Sequence, residues 1–250
     1  MKNFFASTKG IVVAGLFIGL VAVTLQKLGN PPNMGICVAC FERDLVGALG
    51  LHRAEIVQYA RPEIFGLVLG AFVAALAFGE FRPRGGSSPI ARFFLGGVVA
   101  GGALVFLGCP WRALLRLAGG DWNAIFGLAG LICGVAVGTL FFRGNYSLGR
   151  NHPAAKGLGL IFPLFMLALL IVRISFPPIE GEAQNYLLFY SLKGPGSLHA
   201  TLVVSLIIAL LIWFVAQRSR FCNIGAFSDL TLLRQVHLFL DMVAFLAASR

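Results

Sequence analysis

The sequence predicts an all-α integral membrane protein, a bundle of inverted repeats with re-entrant half-helices. Three observations predict this fold: an apolar composition, long apolar segments, and a motif that occurs twice in opposite orientations. Of 250 residues, 58% are hydrophobic and only 12% are charged, whereas soluble domains carry about 25% charged residues. The mean hydropathy is +0.86. A chain of this composition could not cover its own surface with polar groups in water.

Apolar segments of spanning length divide the chain. A spanning helix needs about 20 mainly apolar residues, and six segments meet this requirement: 10–26, 63–79, 91–107, 123–142, 158–175 and 199–216. We expect a seventh, from about 236, to be cut off at residue 250. Two stretches, 36–51 and 108–117, are too short and too polar to span. Because non-helical backbone at membrane depth must be surrounded by protein or water, we interpret both as half-helices that enter the membrane and return.

The distribution of charged residues orients the predicted helices. With the N-terminus in the cytoplasm, the cytoplasmic loops contain ten basic residues against one acid, Glu80: Lys2, Lys9, Arg82, Arg84, Arg92, Arg143, Arg150, Lys156, Arg218 and Arg220. The opposite loops contain seven basic and seven acidic residues. This asymmetry follows the positive-inside rule. The first segment contains no clear cleavage site, so we expect a retained helix rather than a signal peptide. Arg173 lies inside a predicted helix and should face protein or an aqueous cavity.

A repeated motif indicates two oppositely oriented halves. Cys37 and Cys222 are each followed, after six residues, by Asp-Leu, at Asp44 and at Asp229. Five predicted spans separate the two copies, which is typical of an inverted repeat. We predict a first repeat over 1–155 and a second over 156–250. The interval from Cys37 to Cys109, counted again from Cys222, would pass residue 250, so we expect an incomplete second repeat and a fragment or half of a split protein.

Several other classes of function are excluded by the sequence. The net charge of +10 lies in loops between apolar segments rather than on a soluble basic face, so we expect no nucleic acid partner. The histidines and cysteines show no ligand spacing, so we predict no metal site, and we predict no cofactor. Glycine pairs four residues apart predict close helix packing, and they are Gly66/Gly70, Gly97/Gly101 and Gly130/Gly134/Gly138. Cys133 lies within the last set, and we interpret it as a packing residue.

The sharpest local signal is Gly108-Cys109-Pro110-Trp111-Arg112. Proline is favoured at the first position of a helix, which places Cys109 at or near the N-cap. The unpaired N–H groups and the dipole at a helix start attract negative charge, and Arg112 adds a cation about one turn along. The motif therefore predicts a site for a small anion or an activated thiol. A well-capped structural helix is the alternative.

Cys37 and Cys222 begin the other candidate half-helices, with Asp44 and Asp229 about two turns further on. The structural interpretation of Asp44 and Asp229 is that each pairs with Arg43 or another basic residue to orient its loop. Cys37 and Cys40 have the spacing of a redox pair, although no thioredoxin-like pattern surrounds them.

These motifs together resemble the YeeE/YedE membrane family, whose studied members take up thiosulfate. The resemblance covers nearly the whole chain and is carried by Asn33-Met-Gly-Ile-Cys37-Val-Ala-Cys-Phe-Glu-Arg-Asp44, Gly108-Cys109-Pro-Trp-Arg112 and Ser219-Arg-Phe-Cys222-Asn-Ile-Gly-Ala226. Gln58-Tyr-Ala-Arg-Pro-Glu63 and Phe81-Arg-Pro-Arg-Gly-Gly86 are similar to a YedE subgroup associated with selenium metabolism. The family has a second Gly-Cys-Pro-x-Arg motif, and this chain ends before it.

The resemblance implies a narrow path lined by thiols that hydrogen-bond the sulfur end of a passing anion. Carried over by motif, the substrate-binding and translocation residues are Cys37, Cys40, Cys109, Arg112 and Cys222. We therefore predict a transporter, not an enzyme, for a small sulfur- or selenium-containing species in a bacterial inner membrane. Its expected partners are the lipid bilayer, this solute, and a cytoplasmic sulfur- or selenium-carrier protein. The alternatives are a membrane thiol oxidoreductase using Cys37 and Cys40, and a non-transporting membrane subunit of a sulfur or selenium enzyme system.

Overall fold

The computed structural model describes residues 4–5, 7–106 and 108–250, and helices make up most of this part of the chain. The helices are α1 (Thr8–Lys27), α2 (Val38–Ala48), α3 (Pro62–Ala77), α4 (Pro89–Val105), α5 (Pro110–Ala118), α6 (Ala124–Arg143), α7 (Lys156–Ser175), α8 (Leu202–Ser219), α9 (Asn223–Leu232) and α10 (His237–Ala248). A short 3₁₀ helix, Glu55–Val57, precedes α3. Lys2 and the last residue of the predicted span 91–107 lie outside the described residues.

Strand structure is confined, in the described ranges, to two small antiparallel ladders. The strands are β1 (Arg84–Gly85), β2 (His152–Pro153), β3 (Gln184–Asn185) and β4 (Leu188–Phe189). Strand β1 pairs with β2, and β3 pairs with β4. The β1–β2 ladder joins the loop before α4 to the loop after α6, and the β3–β4 ladder lies within the loop between α7 and α8.

The six predicted spans are confirmed as helical segments. Among the described residues, six segments are long and apolar enough to cross a membrane: Thr8–Lys27, Glu55–Ala77, Pro89–Ala118, Ala124–Arg143, Lys156–Ser175 and Leu202–Leu232. At 1.5 Å of rise per residue, a 20-residue helix such as α1 is about 30 Å long, the thickness of the hydrocarbon core. The all-α membrane fold is therefore confirmed.

The predicted half-helices are also confirmed as short helices, α2 and α5, of 11 and 9 residues. The loop before α2 runs back along α1. A Cβ placed on Gly35 would strike the backbone of Ala22, which lies five residues before the end of α1. Those five residues correspond to about 7.5 Å of helix. The chain therefore returns along the helix it has just left before α2 begins, as a re-entrant segment requires.

The described chain divides into two compact units made of segments that are discontinuous in sequence. Unit 1 comprises Met1–Leu20, Arg82–Gly159 and Val215–Arg250, and unit 2 comprises Val21–Phe81 and Leu160–Phe214. The division into repeats 1–155 and 156–250 stays a prediction.

The core of unit 2 is formed by apolar side chains of α2, α3 and α7. They include Phe41, Leu45, Ile64, Phe65, Met166 and Leu170. Helix α8 packs against α3 where the glycine pair Gly66/Gly70 leaves room. An added Cβ on Gly66 would meet Ala209, and one on Gly70 would lie 2.5 Å from the carbonyl oxygen of Leu210. The predicted close packing at this pair is confirmed.

Unit 1 contains a second close helix contact, which the sequence analysis missed. An added Cβ on Gly15 would strike Asp241, and one on Gly19 would lie 2.5 Å from the carbonyl oxygen of Phe245. Helix α10 thus packs against α1 through Gly15-x-x-x-Gly19, the same small-residue spacing.

The close packing predicted at the other glycine sets is wrong within the described chain. A Cβ on any of Gly97, Gly101, Gly130, Gly134 or Gly138 would meet no heavy atom within 4 Å, apart from its own helix backbone. None of the residues of α4, all of them described, is buried, and α6 buries only its described residues Ala124 and Thr139. The predicted packing residue Cys133 is exposed. Small residues permit a close approach, but a partner helix must supply it.

Gly70→Ala should lower the free energy of unfolding by about 1–3 kcal/mol, because the added methyl group meets backbone that cannot move aside. Gly97→Ala is the matched control, and it should leave stability unchanged or slightly raised because alanine favours helix. Thermal unfolding of the two variants in detergent, followed by circular dichroism, measures the difference. Equal melting temperatures for Gly70→Ala and the parent protein would contradict the packing of α3 against α8.

Candidate functional site

Three short helices begin directly after a cysteine. Cys37 is the N-cap of α2, Cys109 is the N-cap of α5, and Cys222 is the N-cap of α9. All three cysteines have extended backbone dihedrals, as N-cap residues typically do. The helix starts predicted at these positions are confirmed, and the role of the thiols stays a prediction.

At α5, the sequence places a cation beside the cysteine. Pro110 occupies the first turn, and Gly108 has a φ of +148°, a conformation that favours glycine. A Cβ on Gly108 would lie 2.5 Å from Cδ of Arg112. The stem of Arg112 therefore lies back against Gly108, in the direction that helical side chains point. The role of Arg112 as a cation that helps to bind an anion stays a prediction.

At α9, the thiol itself meets one of the unpaired N–H groups. The backbone N–H of Gly225 donates to Cys222 Sγ at 3.3 Å. Phe221, which precedes this cysteine, packs on Trp111 with ring centroids 4.1 Å apart. Because Trp111 lies two residues after Cys109, the contact brings the starts of α5 and α9 together. Unit 1 thus gathers Cys109, Cys222 and Arg112 in one region.

Unit 2 contains the other two predicted site residues. Cys37 is fully buried, and Cys40 is 3% exposed, one helical turn further along α2. Asp44 follows one turn after Cys40 on the same face and is also fully buried. Unit 2 therefore presents Cys37, Cys40 and Asp44 along one side of a re-entrant helix.

Asp44 is held by two arginines. Arg43 donates to Asp44 Oδ1 from Nε at 2.9 Å and from a terminal nitrogen at 2.7 Å. Arg61 Nε donates to Asp44 Oδ2 at 2.5 Å, and both of these side chains are fully buried. The structural interpretation of Asp44 is therefore confirmed. Asp229, its counterpart in the repeated motif, forms no ion pair with any described residue.

The sequence analysis missed a network of buried polar groups that joins distant loops of unit 2. Arg61 donates to the carbonyl oxygen of Pro195 at 2.8 Å. Asn30 Nδ2 donates to Glu63 Oε1, and Asn30 Oδ1 accepts from the backbone N–H of Ala200 at 2.9 Å. Glu63 is 1% exposed. The only sequence signal was a charged pair directly around Pro62, at the start of a spanning helix.

Arg173 is buried at 3% exposure, which confirms that it faces protein. One of its terminal nitrogens donates to Tyr59 Oη at 3.2 Å. Its guanidinium carbon lies 5.2 Å from the ring centroid of Tyr59 and 5.4 Å from that of Tyr190. His199 stacks on Tyr59 with ring centroids 4.4 Å apart. Burial lowers the pKa of His199, which favours the neutral form of this ring.

A pocket of about 510 Å³ opens beside this aromatic group in unit 2. Its lining includes His52, Arg53, Glu55, Gln58, Tyr190 and Lys193. The lining combines two basic residues with one acid, and Tyr190 forms part of its wall. The pocket therefore has a positive balance of charge and reaches the ring that covers Arg173.

Long apolar helices, together with short helices that begin at cysteines, define a multi-pass membrane protein. Residues 1–110 match the family model described as sulphur transport. An uncharacterized protein of Methanocaldococcus jannaschii is 32% identical over 95 residues, which cover 34% of this chain and 90% of the relative. The chain belongs to the sulphur transport family, also called the YeeE/YedE family. No solved structure matches the chain.

Asp44→Asn should lower the free energy of unfolding by about 3–5 kcal/mol, because it leaves the guanidinium of Arg61 buried without its counter-charge. Asp121→Asn is the matched control. Asp121 pairs with Arg116 at 2.7 Å, but this pair is solvated, so we expect little change in the melting temperature.

The double variant Asp44→Asn/Arg61→Gln removes both charges and should recover part of the lost stability. Thermal unfolding in detergent compares the three variants with the parent protein. If Asp44→Asn melts at the same temperature as Asp121→Asn, the pair does not stabilise unit 2.

Proposed function

We propose that this protein transports a small sulfur- or selenium-containing solute, such as a thiosulfate-like anion, across the membrane. Membership of the sulphur transport family supports a sulfur-related transporter rather than an enzyme. The proposed path is lined by Cys37, Cys40, Cys109 and Cys222, with Arg112 as the helping cation. A YedE-type selenium substrate is the finer form of this proposal, supported only by the motif similarity described above.

The single observation that carries the proposal is that α2, α5 and α9 each begin at a cysteine. The first N–H groups of a helix have no intrahelical partner and carry the positive end of the dipole. A thiol at the N-cap is therefore placed beside donors that attract an anion. Thiols are soft and polarisable, which suits a terminal sulfur or selenium atom better than a sulfate oxygen.

Arg112 supports the anionic character of the proposed solute. Its stem lies against Gly108, next to the N-cap Cys109, so its charge adds to that of the helix start. A cation beside the positive end of a helix strengthens the attraction of that helix start for a negative group.

The proposed location is a bacterial inner membrane with the N-terminus in the cytoplasm, which the charge asymmetry of the loops supports. The sequence shows no nucleotide-binding motif, so ATP coupling would need a partner protein. A cytoplasmic sulfur or selenium carrier that receives the solute is part of the proposal, because a released reduced sulfur species is reactive.

Uptake of radiolabelled thiosulfate by cells that express the protein tests the proposal. Cys109→Ala should reduce uptake at low thiosulfate by about tenfold or more, because a hydrogen bond to a charged group contributes about 1.5–3 kcal/mol. Cys37→Ala and Cys222→Ala should also reduce thiosulfate uptake. Cys133→Ala is the matched control, since Cys133 is exposed in the middle of α6, and it should transport as the parent does.

The pattern among the cysteine variants separates the proposal from its alternatives. A thiol oxidoreductase would lose activity in Cys37→Ala and Cys40→Ala while Cys222→Ala remained active. Both of the former thiols are buried, which disfavours exchange with a soluble partner. Competition by selenite and by sulfate, measured in the same assay, reports the preferred solute. Parental uptake in Cys109→Ala with confirmed expression means that the thiol path is wrong.

A further inference from the structure

We infer that Arg173 forms an anion-binding site in unit 2, enclosed by Tyr59 and Tyr190 and reached from the pocket beside them. The inference rests on the proposed function in one respect, because it takes the transported solute as the anion. The site includes none of the cysteines and does not include Arg112. It would bind thiosulfate by charge and by the guanidinium edge, without a thiol.

Buried charged groups lie in unit 2 near Tyr59. Asp44 accepts from the buried Arg61 and from Arg43, which is partly exposed, and Glu63 accepts from the neutral amide of Asn30. The buried arginines Arg61 and Arg173 equal the buried acids of this unit in number, but no acid among the described residues forms an ion pair with Arg173. A buried charge is costly without a counter-charge, and a bound anion would supply it.

Arg173 has neutral neighbours within contact distance of its guanidinium. It donates to a neutral hydroxyl, Tyr59 Oη, and no carboxylate of a described residue lies within ion-pair distance of it. Its Nε is buried and meets no hydrogen-bond acceptor among the described residues. Guanidinium groups bind oxyanions through pairs of N–H groups on one edge. The edge that contains Nε is therefore available for such a ligand.

The two tyrosine rings hold the guanidinium of Arg173 in place. Its carbon lies 5.2 Å from the ring centroid of Tyr59 and 5.4 Å from that of Tyr190, which is within cation–π range. Tyr190 Oη donates to the carbonyl oxygen of Phe176 at 2.5 Å, and His199 stacks on Tyr59. Both rings are thus anchored by contacts of their own. A preorganised cation requires little further ordering when a ligand binds.

The pocket beside Tyr190 offers an anion a route towards Arg173. The 510 Å³ pocket is lined by Tyr190 and Gln58, and the same Tyr190 ring contacts Arg173. Arg53 and Lys193 line the pocket with Glu55. A cleft with a positive balance of charge raises the local concentration of anions. Movement of the Tyr190 ring would connect this pocket with the guanidinium.

Binding of thiosulfate to the purified full-length protein in detergent, measured by calorimetry and by the shift in melting temperature, tests the inference. Arg173→Gln should lower the affinity of the unit 2 site for thiosulfate by about tenfold or more. Arg173→Lys should bind with intermediate affinity, because it keeps the charge and loses the planar edge. Arg150→Gln is the control for the loss of an exposed arginine.

Glu63→Gln tests whether removal of a nearby negative charge strengthens thiosulfate binding. It removes a negative charge near Tyr59 and keeps a carbonyl oxygen for Asn30, so it should tighten thiosulfate binding severalfold. A purely structural role for Arg173 predicts instead that both variants lower the melting temperature without opposite changes in affinity. Parental affinity in a folded Arg173→Gln, or weaker binding in Glu63→Gln, would overturn the inference.

The uptake assay distinguishes this inference from the proposed function. Binding that depends on Arg173 in a protein with no thiosulfate uptake would overturn the transport proposal and leave the anion site in place. Uptake by Arg173→Gln with a parental KM would overturn the anion site and leave the thiol path in place. A raised KM in Arg173→Gln, with thiosulfate still preferred over sulfate, supports both.

Discussion

The first N–H groups of α2, α5 and α9 are the constraint on which the rest of this structure depends. An unsatisfied backbone polar group in hydrocarbon costs several kcal/mol, so a helix that starts inside a membrane protein must be met by protein, water or ligand. Here each start is preceded by cysteine, a weaker acceptor than the serine or aspartate usual at N-caps. The proposed function assigns these donors to a passing anion.

Other buried polar and charged side chains of unit 2 stabilise the loops that connect its interrupted helices. Arg61 connects the carboxylate of α2 to the backbone at Pro195, and Asn30 connects Glu63 to the backbone at Ala200. Loops at membrane depth contain backbone groups that lipid cannot satisfy. Side chains with several donors or acceptors meet this need, which explains why charge is retained where leucine would pack more easily.

Sequence reasoning succeeded where one physical requirement acts on contiguous residues. Length and hydropathy predicted the spans, and Gly108-Cys109-Pro110 predicted a helix start. Prediction from the sequence failed where a residue contacts a partner that is distant along the chain. Gly66/Gly70 and Gly97/Gly101 have the same spacing, yet only the first pair packs against a helix. The contact of Asn30 with Glu63 joins residues 33 positions apart, and nothing local in either segment indicates it. Arg173 could be predicted as buried, because charge within a spanning helix must avoid lipid, but its tyrosine partners could not.

The two kinds of anion donor in this chain differ in what they can discriminate. A guanidinium recognises charge and oxygen geometry, so a site built on Arg173 binds sulfate and thiosulfate by similar contacts. A thiol donor distinguishes a terminal sulfur from an oxygen, but a neutral thiol contributes little attraction over distance. A selective path for a sulfur oxyanion therefore needs both: a cation to attract the solute out of water, and thiols to select among anions. In the proposed mechanism, the buried arginine and the cysteine-capped helices meet these two requirements with separate groups, so that substitutions can alter affinity and selectivity independently.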